Sequence, residues 1–489
     1  MSKKVLSIIL LCCVVLLAVS AGVYVPRAKD NHLGDTKVHN ITVWYTDEAM
    51  AAYLNEAAIA YQEQTGVAVS LKMVSGLEYL EGIQEASLHS SEGPDAYIVN
   101  SDSLEKARLA GLATPMDDPN GVLNTDNYPQ IALNAVTYHD KILGYPFTYE
   151  TAAFFYNDTY LTEMARKAIE AEANKAEGEE AMEELEEGAE PDSEVTADEI
   201  EESAEITEEQ VLAKKEEILP TSMIELLEFA NTYDPAENME TFLLWDVADV
   251  MYNYGFGGAY MNMGGVHGDD REEIDIYNTD AMYCLSVYQD FNQFFSIEAE
   301  EVNYEGVVSD FVGGKVMFTI GGTGMLNTLE KAKADGTFTG EYGVVSIEML
   351  NENLQFKPLS VTTVVAVNEY SEKQEVAEDF AQFITCDYVD NLYARSGKLC
   401  AHYLEEYPVP VMADMMTCYE NSVALPKIVE NSNYWILAEM CYTNIWDGGD
   451  VNTELMSLSA QVKKEISGEE VNELKLETPV VQESYIKDE

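Results

Sequence analysis

Acidic and amide side chains follow two predicted strands in the N-terminal part of the chain. Asp47 comes soon after the β-rich run 41–45, and Asn100 and Asp102 follow the run 96–99. Carboxylate and amide oxygens accept hydrogen bonds from hydroxyl or amino groups. A pair of carboxylates can also supply the acid and the base of glycoside hydrolysis. These residues are therefore candidates for binding a polar solute or for acid–base chemistry.

Motifs for other kinds of chemistry are missing. None of the 6 histidines is followed by Glu, which excludes a His-Glu-x-x-His zinc site. The Gly-Lys pair at 314–315 lacks the following Ser or Thr of a phosphate-binding loop, so the run 313–324 predicts a strand and a glycine turn before a helix. There is no nucleophile elbow either. We therefore expect no catalytic residue, no metal and no cofactor.

The charge of the chain limits the kinds of molecule that it can bind. In 489 residues, 27 Lys and Arg against 89 Asp and Glu give a formal net charge of −62. Such a surface repels phosphate backbones and anionic lipids, which excludes nucleic acid and disfavours adhesion to a membrane surface. Only five arginines are present, so a strongly anionic ligand is disfavoured as well. Thirty tyrosines and four tryptophans instead offer planar apolar faces with polar edges.

Residues 1–25 have the pattern of a secretory signal. Two lysines precede an apolar run over 5–19, and small residues follow at 20–22. An uncleaved membrane anchor is the alternative, because the apolar stretch is just long enough to span a bilayer. Cys12 fits a lipoprotein signal poorly, since Leu11 rather than a small residue precedes it. In either case we expect the body of the protein to be exported and extracellular.

Seven cysteines are present, and two of them lie in the N-terminal segment. The remaining five form no Cys-x-x-Cys pair, and a chain of this length does not need disulfides to fold. We interpret them as mostly buried free thiols, with one disulfide left open. They are Cys284, Cys386, Cys400, Cys418 and Cys441.

The N-terminal part of the body alternates strands and helices. The run 41–45 is followed by apolar residues at helical spacing up to Gly66, and then by period-two alternation over 67–73. Strand, helix and strand in so short a stretch form a βαβ unit, which implies a parallel sheet. Ligands of such sheets bind beyond the carboxyl ends of the strands, where the acidic and amide residues named above lie. The helical positions are Met50, Tyr53, Leu54, Ala57, Ala58 and Tyr61.

Residues 163–217 interrupt this pattern with 22 acidic and 5 basic residues. The stretch 163–187 predicts a solvated helix, whereas 188–205 cannot bury enough apolar surface to offset chain entropy. We interpret the segment as a solvated, partly disordered insertion in a surface loop, with cation or partner binding as the alternative. A capped helix starts again at 220–225. We expect the acidic tail, 467–489, to be loose.

Aromatic residues and glycines concentrate between positions 245 and 260. Aromatic residues at this density are more often part of a core than of a ligand platform. The interleaved glycines and the acids Asp246 and Asp249 favour a ligand cleft, because a cleft needs close backbone approach as well as flat faces. Both interpretations of Trp245 stay open at this point.

Several segments occur in a family-specific order over most of residues 38–466. They are ITVWYT (41–46), GPDAYIVNSDS (93–103), LAGLATPMDD (109–118), GYPFTYETAAFFYND (144–158), FVGGKVMFTIGG (311–322), LSVTTVVAVNEYS (359–371) and LPKIVENSNYWILAEM (425–440). In these segments the chain resembles the family 1 extracellular solute-binding proteins, which are maltose-binding-protein-like components of ABC sugar importers. The resemblance implies an α/β, two-lobe periplasmic-binding-protein-like fold of type II. Each lobe would be a doubly wound sheet flanked by helices, with the ligand cleft at the hinge.

The same resemblance implies lobe boundaries and crossings between the lobes. The N-terminal lobe would comprise 38–148 plus 364–416, the C-terminal lobe 149–363 plus 417–466, and the crossings would lie near 147–150, 360–364 and 415–418.

A ligand site is also implied by the resemblance. Carboxylates would satisfy the hydroxyl rim of a pyranose, and aromatic rings would pack on its apolar C–H face. Gly324 stands where maltose-type members place a tryptophan, which puts maltose-like oligosaccharides in doubt. The implied ligand-binding residues are Asp47, Asn100 and Asp102 from the N-terminal lobe, Glu150 at the crossing, and Trp245, Tyr434 and Trp435 from the C-terminal lobe.

The expected function is capture of a sugar or oligosaccharide by hinge closure and delivery to an ABC-type membrane permease. We expect a monomer without enzymatic activity. A secreted carbohydrate-active enzyme and a surface sensor or adhesin on the same fold are the alternatives. Amino-acid, peptide and polyamine ligands stay open, since such binders share the architecture.

Overall fold

The computed structural model describes residues 40–76, 78–89, 93–186 and 206–479. The predicted signal or anchor at 1–25 lies outside these residues, as do the middle of the acidic insertion and the end of the acidic tail. Within the described ranges, no helix combines the length and the apolar character needed to cross a membrane.

Nine strands of the described chain form one mixed sheet. They are β1 (Asn40–Tyr45), β2 (Ala68–Met73), β3 (Ala96–Asn100), β6 (Tyr145–Asn157), β7 (Thr241–Leu243), β10 (Val316–Gly322), β11 (Tyr342–Val345), β12 (Leu359–Val367) and β13 (Val423–Ala424). Their order is β2-β1-β3-β12-β6-β10-β7, with β11 beside β6 and β13 beside β12. Two short hairpins stand apart: β4 (Thr137–Tyr138) with β5 (Lys141–Ile142), and β8 (Asn262–Met263) with β9 (Ile274–Asp275).

The α-helices of the described residues cover this sheet. They are α1 (Ala51–Thr65), α2 (Tyr79–His89), α3 (Leu104–Leu109), α4 (Gln130–Val136), α5 (Asp158–Glu186), α6 (Glu208–Ile218), α7 (Met223–Thr232), α8 (Val250–Asn253), α9 (Thr279–Phe295), α10 (Tyr304–Val312), α11 (Thr323–Asp335), α12 (Gln374–Gln382), α13 (Leu392–Ser396), α14 (Val411–Glu420), α15 (Tyr434–Trp446) and α16 (Val451–Ser467).

The N-terminal strands form the parallel sheet that the sequence predicts. β1 pairs in parallel with both β2 and β3, and α1 connects the first two strands. All of the predicted helical positions from Met50 to Tyr61 are buried. The helix ends at Gly66, whose φ of 79° is the left-handed conformation that glycine adopts without strain. Local periodicity therefore predicts this part of the fold correctly.

Strand β6 is shared by two parts of the sheet. Its residues 145–151 pair with β12, which in turn pairs with β3. Its residues 152–157 pair with β10 and β11 instead. The change of partner falls between Thr151 and Ala152. We refer to the part with β1, β2, β3, β12, β13 and the start of β6 as the N-lobe sheet. The part with β7, β10, β11 and the end of β6 is the C-lobe sheet.

The acidic insertion is more ordered at its ends than the sequence predicts. Its first helix, α5, starts directly after β6, in agreement with the predicted solvated helix. Its last part is not loose, because α6 is capped by Thr207 in a reciprocal capping box with Gln210. Val211 of α6 is buried, and Lys214 forms an ion pair of 2.8 Å with Glu172 of α5. The two helices therefore form an antiparallel pair held by apolar contact and by ion pairs. Residues 188–205, predicted to be disordered, lie outside the described part.

The expectation of a loose acidic tail is wrong for residues 469–479. The side chain of Asn452 in α16 donates to the carbonyl oxygen of Leu476 at 3.0 Å and to Thr478 at 2.8 Å. Lys463 pairs with Glu473 at 2.7 Å. These contacts give the tail partners for its backbone and its charge, which the composition alone does not show.

An ion cluster around the buried Glu105 connects the two lobes. Glu105 of α3 is fully buried, and its carboxylate accepts two hydrogen bonds from Arg271, at 2.9 and 3.1 Å. The same carboxylate accepts from the hydroxyl of Tyr138 at 3.0 Å and from the backbone N–H of Val429 at 2.7 Å. Arg271 lies in the loop between β8 and β9, and it also pairs with Glu430 at 2.6 Å. The cluster therefore ties α3 of the N-terminal lobe to two loops of the C-terminal lobe.

Replacing Arg271 by Met should lower the free energy of unfolding by about 3–5 kcal/mol, because it leaves Glu105 charged and buried without its partner. Urea denaturation at neutral pH measures this change. The additional substitution Glu105→Gln should restore much of the loss, since it removes the uncompensated charge and keeps an acceptor for Tyr138. As a control, Arg395→Met breaks an exposed pair with Glu56 and should change stability by less than about 1 kcal/mol. An equal loss in both single variants would contradict a special role for the buried pair.

All five cysteines of the described chain are free, and four of them are buried. This confirms their interpretation as mostly buried thiols. Burial raises the pKa of the Cys386 thiol from 9.0 to about 11. It raises the pKa of the other four thiols to about 12. Burial acts in this direction because a thiolate is poorly solvated in an apolar interior.

The free energy of unfolding should therefore fall between about pH 8 and pH 10, measured by urea denaturation under reducing conditions. In this window the thiols of the unfolded chain ionise, while those of the folded chain keep their protons. Raising the pH therefore favours the unfolded state. Each fully buried thiol contributes about 1.4 kcal/mol per pH unit once its unfolded form ionises. Lys427, whose pKa burial lowers to about 8, has the opposite sign but is one group against five. Cys284→Ala should make the fall shallower by about one proton; a slope that stays the same would rule this explanation out.

Candidate functional site

A cavity of about 630 Å³ opens between the two lobes, next to the change of partner in β6. Its lining combines charged, amide and aromatic side chains. From the N-terminal lobe and the crossing strands it includes Tyr45, Thr46, Asp47, Tyr79, Asn100, Asp102, Thr148, Glu150, Thr363 and Lys398, and from the C-terminal lobe Met251, Tyr252 and Gly322.

The parallel pairing of β1 with β3 explains how the N-terminal residues meet. Because the strands are adjacent and parallel, their carboxyl ends lie at one edge of the sheet. Asp47 follows one end, and Asn100 and Asp102 follow the other. The structure thus brings together four of the seven predicted site residues: these three and Glu150. Their role in ligand binding stays a prediction.

Asp47 has a local structural role as well as a place in the cavity. Its Oδ1 accepts from the backbone N–H of Ala49 at 2.9 Å, which caps the short turn before α1. Its Oδ2 lies 3.1 Å from the ammonium of Lys398. The turn and the ion pair together fix the direction of the carboxylate.

Glu150 is held from both sides. Its Oε1 lies 3.3 Å from the ammonium of Lys398, and its Oε2 accepts a hydrogen bond from the hydroxyl of Thr323, the first residue of α11. Burial by itself lowers the pKa of Lys398. The carboxylates of Glu150 and Asp47 outweigh this and leave that pKa above its ordinary value. The lysine therefore stays charged at physiological pH.

Asp102 lies deeper than the other carboxylates. Burial raises its pKa above the ordinary value, and a hydrogen bond of 3.4 Å from the hydroxyl of Ser103 opposes this shift. The positive charge of Lys427 also lowers the pKa of Asp102, but by less than burial raises it. The ammonium of Lys427 is buried and donates to the carbonyl oxygens of Asn134 and His267. The charge of Lys427 also interacts with that of Glu105. Asp102 is therefore linked through this lysine to the ion cluster around Glu105.

Tyrosines supply the flat faces of the cavity. Tyr252 lines it and stacks in parallel on Tyr304, with ring centroids 5.3 Å apart and an interplanar angle of 4°. Tyr45 and Tyr79 contribute on the N-terminal side. The aromatic segment 245–260 therefore does reach the cavity, but through Tyr252. Its position among neighbouring aromatic residues is the only signal in the sequence that points to it.

Two of the predicted aromatic platforms belong to the core. Trp245 has no exposed surface, and its indole N–H donates to Asn253 at 2.7 Å. Its ring meets Trp446 edge-on, with centroids 5.3 Å apart. Tyr434 is 1% exposed, and its hydroxyl bonds to that of Tyr254 at 2.9 Å. Neither ring has a free face for a ligand, so the structure corrects both assignments.

Trp435 is half-buried at the start of α15 and lies outside the residues that line the cavity. One helical turn further on, Glu439 has its pKa raised by burial and by the charges of Asp249 and Asp246. Asp249 caps α8, which carries the cavity residues Met251 and Tyr252. Residues four apart share one face of a helix. The ring of Trp435 is therefore on the side of α15 that faces α8, and its role as a platform stays a prediction.

Two lobes that share a strand, with a polar cavity between them, define a periplasmic-binding-protein-like fold. The sequence matches the model of the bacterial extracellular solute-binding proteins over residues 56–394, and the chain belongs to this family. The predicted fold class and the predicted resemblance are both confirmed.

Known proteins similar to this chain agree with that assignment. The maltooligosaccharide ABC transporter solute-binding lipoprotein of Streptococcus pneumoniae is 20% identical over 415 residues, which cover 82% of each chain. The structure of the extracellular solute-binding protein from Staphylococcus aureus in complex with maltose has a TM-score of 0.68 and 18% identity, over 88% of this chain and 99% of that one. A cyclo/maltodextrin-binding protein complexed with maltotetraose has a TM-score of 0.66 and 17% identity, over 88% and 98%.

Replacing Trp245 by Ala should lower the free energy of unfolding by about 3–5 kcal/mol, because it leaves a large cavity and an unpaired Asn253 in the core. Trp435→Ala should lower it by less, about 1–2 kcal/mol, since that side chain is only partly buried. Chemical denaturation of the two variants measures the difference. Comparable losses would show that the two rings are buried to a similar extent in solution.

Proposed function

We propose that this protein is the solute-binding component of an ABC-type importer and that it captures a sugar or oligosaccharide in the cavity between its lobes. The observation that carries the proposal is the composition of the cavity. Three carboxylates, an amide and a lysine form its polar part, and tyrosine rings form its flat part. A pyranose has the complementary surface, with a rim of hydroxyl groups and an apolar C–H face.

The size of the cavity also supports a small ligand. A volume of about 630 Å³ lies within the range of pockets that enclose small molecules and cofactors. The relatives named above are maltooligosaccharide- or maltose-binding proteins by name or by bound sugar. We therefore propose a neutral oligosaccharide and take maltotriose as the first probe. The glycine at position 324 favours a thinner aromatic stack than maltose-type proteins have.

Closure of the lobes is the proposed mechanism. A ligand that contacts Asp102 on one lobe and Tyr252 on the other stabilises the closed state by its differential affinity for that state. β6 continues from one lobe into the other and can act as the hinge, since small changes of backbone angle near the change of partner rotate one lobe against the other. The closed form would then be the one that the permease binds.

We further propose that the protein acts as a monomer outside the cell and remains at the cell surface through its N-terminal segment. The pneumococcal relative is named as a lipoprotein, and the signal-like residues of this chain fit export. The named relatives are solute-binding proteins, so binding without chemical change is the proposed mode.

The proposal is tested by titrating maltotriose into the protein in a calorimeter and by following lobe closure in small-angle scattering. A ligand at a hundredfold excess over Kd should add about 2.7 kcal/mol to the free energy of unfolding. The radius of gyration should decrease on binding. A failure of all neutral oligosaccharides in a glycan panel would refute a sugar ligand. Release of shorter sugars from the panel would show an enzyme instead.

Asp102→Asn should weaken maltotriose binding by roughly 10- to 100-fold, because a hydrogen bond to a charged acceptor is stronger than one to a neutral amide. Calorimetric titration of the variant measures this loss. Asp126→Asn is the matched control, since Asp126 is exposed and lies outside the cavity lining. Unchanged affinity in Asp102→Asn would remove this carboxylate from the proposed site.

A further inference from the structure

We propose that Lys398 is a specificity-determining residue of the cavity. Its ammonium acts as a built-in counter-ion of Asp47 and Glu150, so that the site accepts neutral glycans and rejects cationic solutes such as amino sugars and polyamines. The inference rests on the proposed function and names the class of solute that the same site takes. It assigns a role to a residue that the sequence patterns do not single out.

The position of Lys398 is fixed by backbone contacts. The preceding residue, Gly397, has a φ of 70° and ends α13 in the left-handed conformation. The following residues pair with β6: the N–H of Tyr149 donates to the carbonyl oxygen of Leu399 at 3.3 Å, and the N–H of Ala401 donates to that of Phe147 at 2.9 Å. The lysine therefore lies beside the middle of β6, where Glu150 points into the cavity.

The two carboxylates reach the ammonium from different elements. Asp47 follows β1 and lies 3.1 Å from the ammonium, and Glu150 belongs to β6 and lies 3.3 Å away. All three side chains are only partly exposed, between 31% and 45%. Solvent therefore weakens each ion pair, and the triad depends on two carboxylates that share one ammonium.

The charge of the whole protein gives a counter-ion in the cavity a reason to matter. A chain with a net charge of −62 attracts cations from solution, and the carboxylates of the cavity would attract them further. Lys398 offsets part of this attraction where two carboxylates of the cavity meet. A cationic solute would have to displace a tethered ammonium or to sit beside it, and the like charges repel each other in either case.

A neutral solute meets no such obstacle. An ammonium group carries three N–H donors, and two of them face carboxylates here. The third can donate to a hydroxyl or ring oxygen of a glycan, while the remaining lone pairs of Asp47 and Glu150 accept from hydroxyl groups. Lys398 thus both contacts the proposed ligand and orients the two carboxylates for it.

The test compares Lys398→Met with Lys333→Met by calorimetric titration of maltotriose and of spermidine at low ionic strength. Lys333 is the matched control, because it also pairs with a carboxylate, Glu341, and is 32% exposed, but lies outside the cavity lining. The wild-type protein and the control should bind maltotriose and not spermidine. Lys398→Met should bind maltotriose at least about 10-fold more weakly and spermidine at least about 10-fold more tightly than wild type.

Lys398→Arg provides a second variant that keeps the positive charge. It should continue to reject spermidine, which a general disturbance of the fold would not produce. If Lys398→Met binds spermidine no better than wild type, or if Lys398→Arg gains spermidine binding to the same extent, the inference is overturned. If wild type fails to bind any neutral glycan, the proposed sugar function fails instead. The spermidine comparison does not depend on which glycan is bound, so the two failures are distinguishable.

Discussion

The sharing of β6 between the N-lobe sheet and the C-lobe sheet is the constraint on which the rest of the structure depends. One continuous strand of 13 residues hydrogen-bonds to β12 in its first part and to β10 and β11 in its second. The place where the lobes separate is therefore determined by backbone pairing, and the cavity lies next to it. A strand buried on both faces is mainly apolar, and the one charged residue of β6 lies near this place.

Glu150 is the one charged residue of β6. Most residues of β6 are buried, and the glutamate stands one residue before the change of partner. A charged side chain in such a strand destabilises the fold unless it has partners. Lys398 and Thr323 are those partners, and they come from opposite sides of the crossing. The strand thus has a charged, partly exposed side chain where the two lobes and the cavity meet.

The basic residues near the lobe junction also lie beside carboxylates that are partly or fully buried. Arg271 pairs with buried Glu105, Lys427 lies behind Asp102, and Lys398 holds Glu150 with Asp47. Surface carboxylates are solvated by water and need no partner, whereas carboxylates in a sheltered junction do. A chain with 27 basic and 89 acidic residues therefore places part of its limited positive charge where its lobes meet.

Local patterns in the sequence predict much of the fold and part of the site. Period-two and helical spacing predict β1, α1 and β2, and the rule for parallel sheets places Asp47 and Asp102 at one edge. The assignment of Trp245 to the site is wrong, because neither the composition nor the resemblance shows which ring of an aromatic cluster faces a cavity. Lys398 was missed because its pairing with Glu150 joins positions 248 residues apart, and no local pattern records such a contact.

The position of the acidic insertion explains how the fold tolerates it. α5 begins at Asp158, directly after β6, and Lys215 of α6 returns to pair with this residue at 2.6 Å. The ends of the insertion are therefore held together at its base. The entropy of closing a loop grows only slowly with its length, so further residues beyond a fixed base destabilise the lobe little. The base lies at the end of β6 that pairs with β11, whereas Glu150 and the cavity lie near its middle. An insertion fixed in this way can change in length and charge without moving the residues that line the cavity.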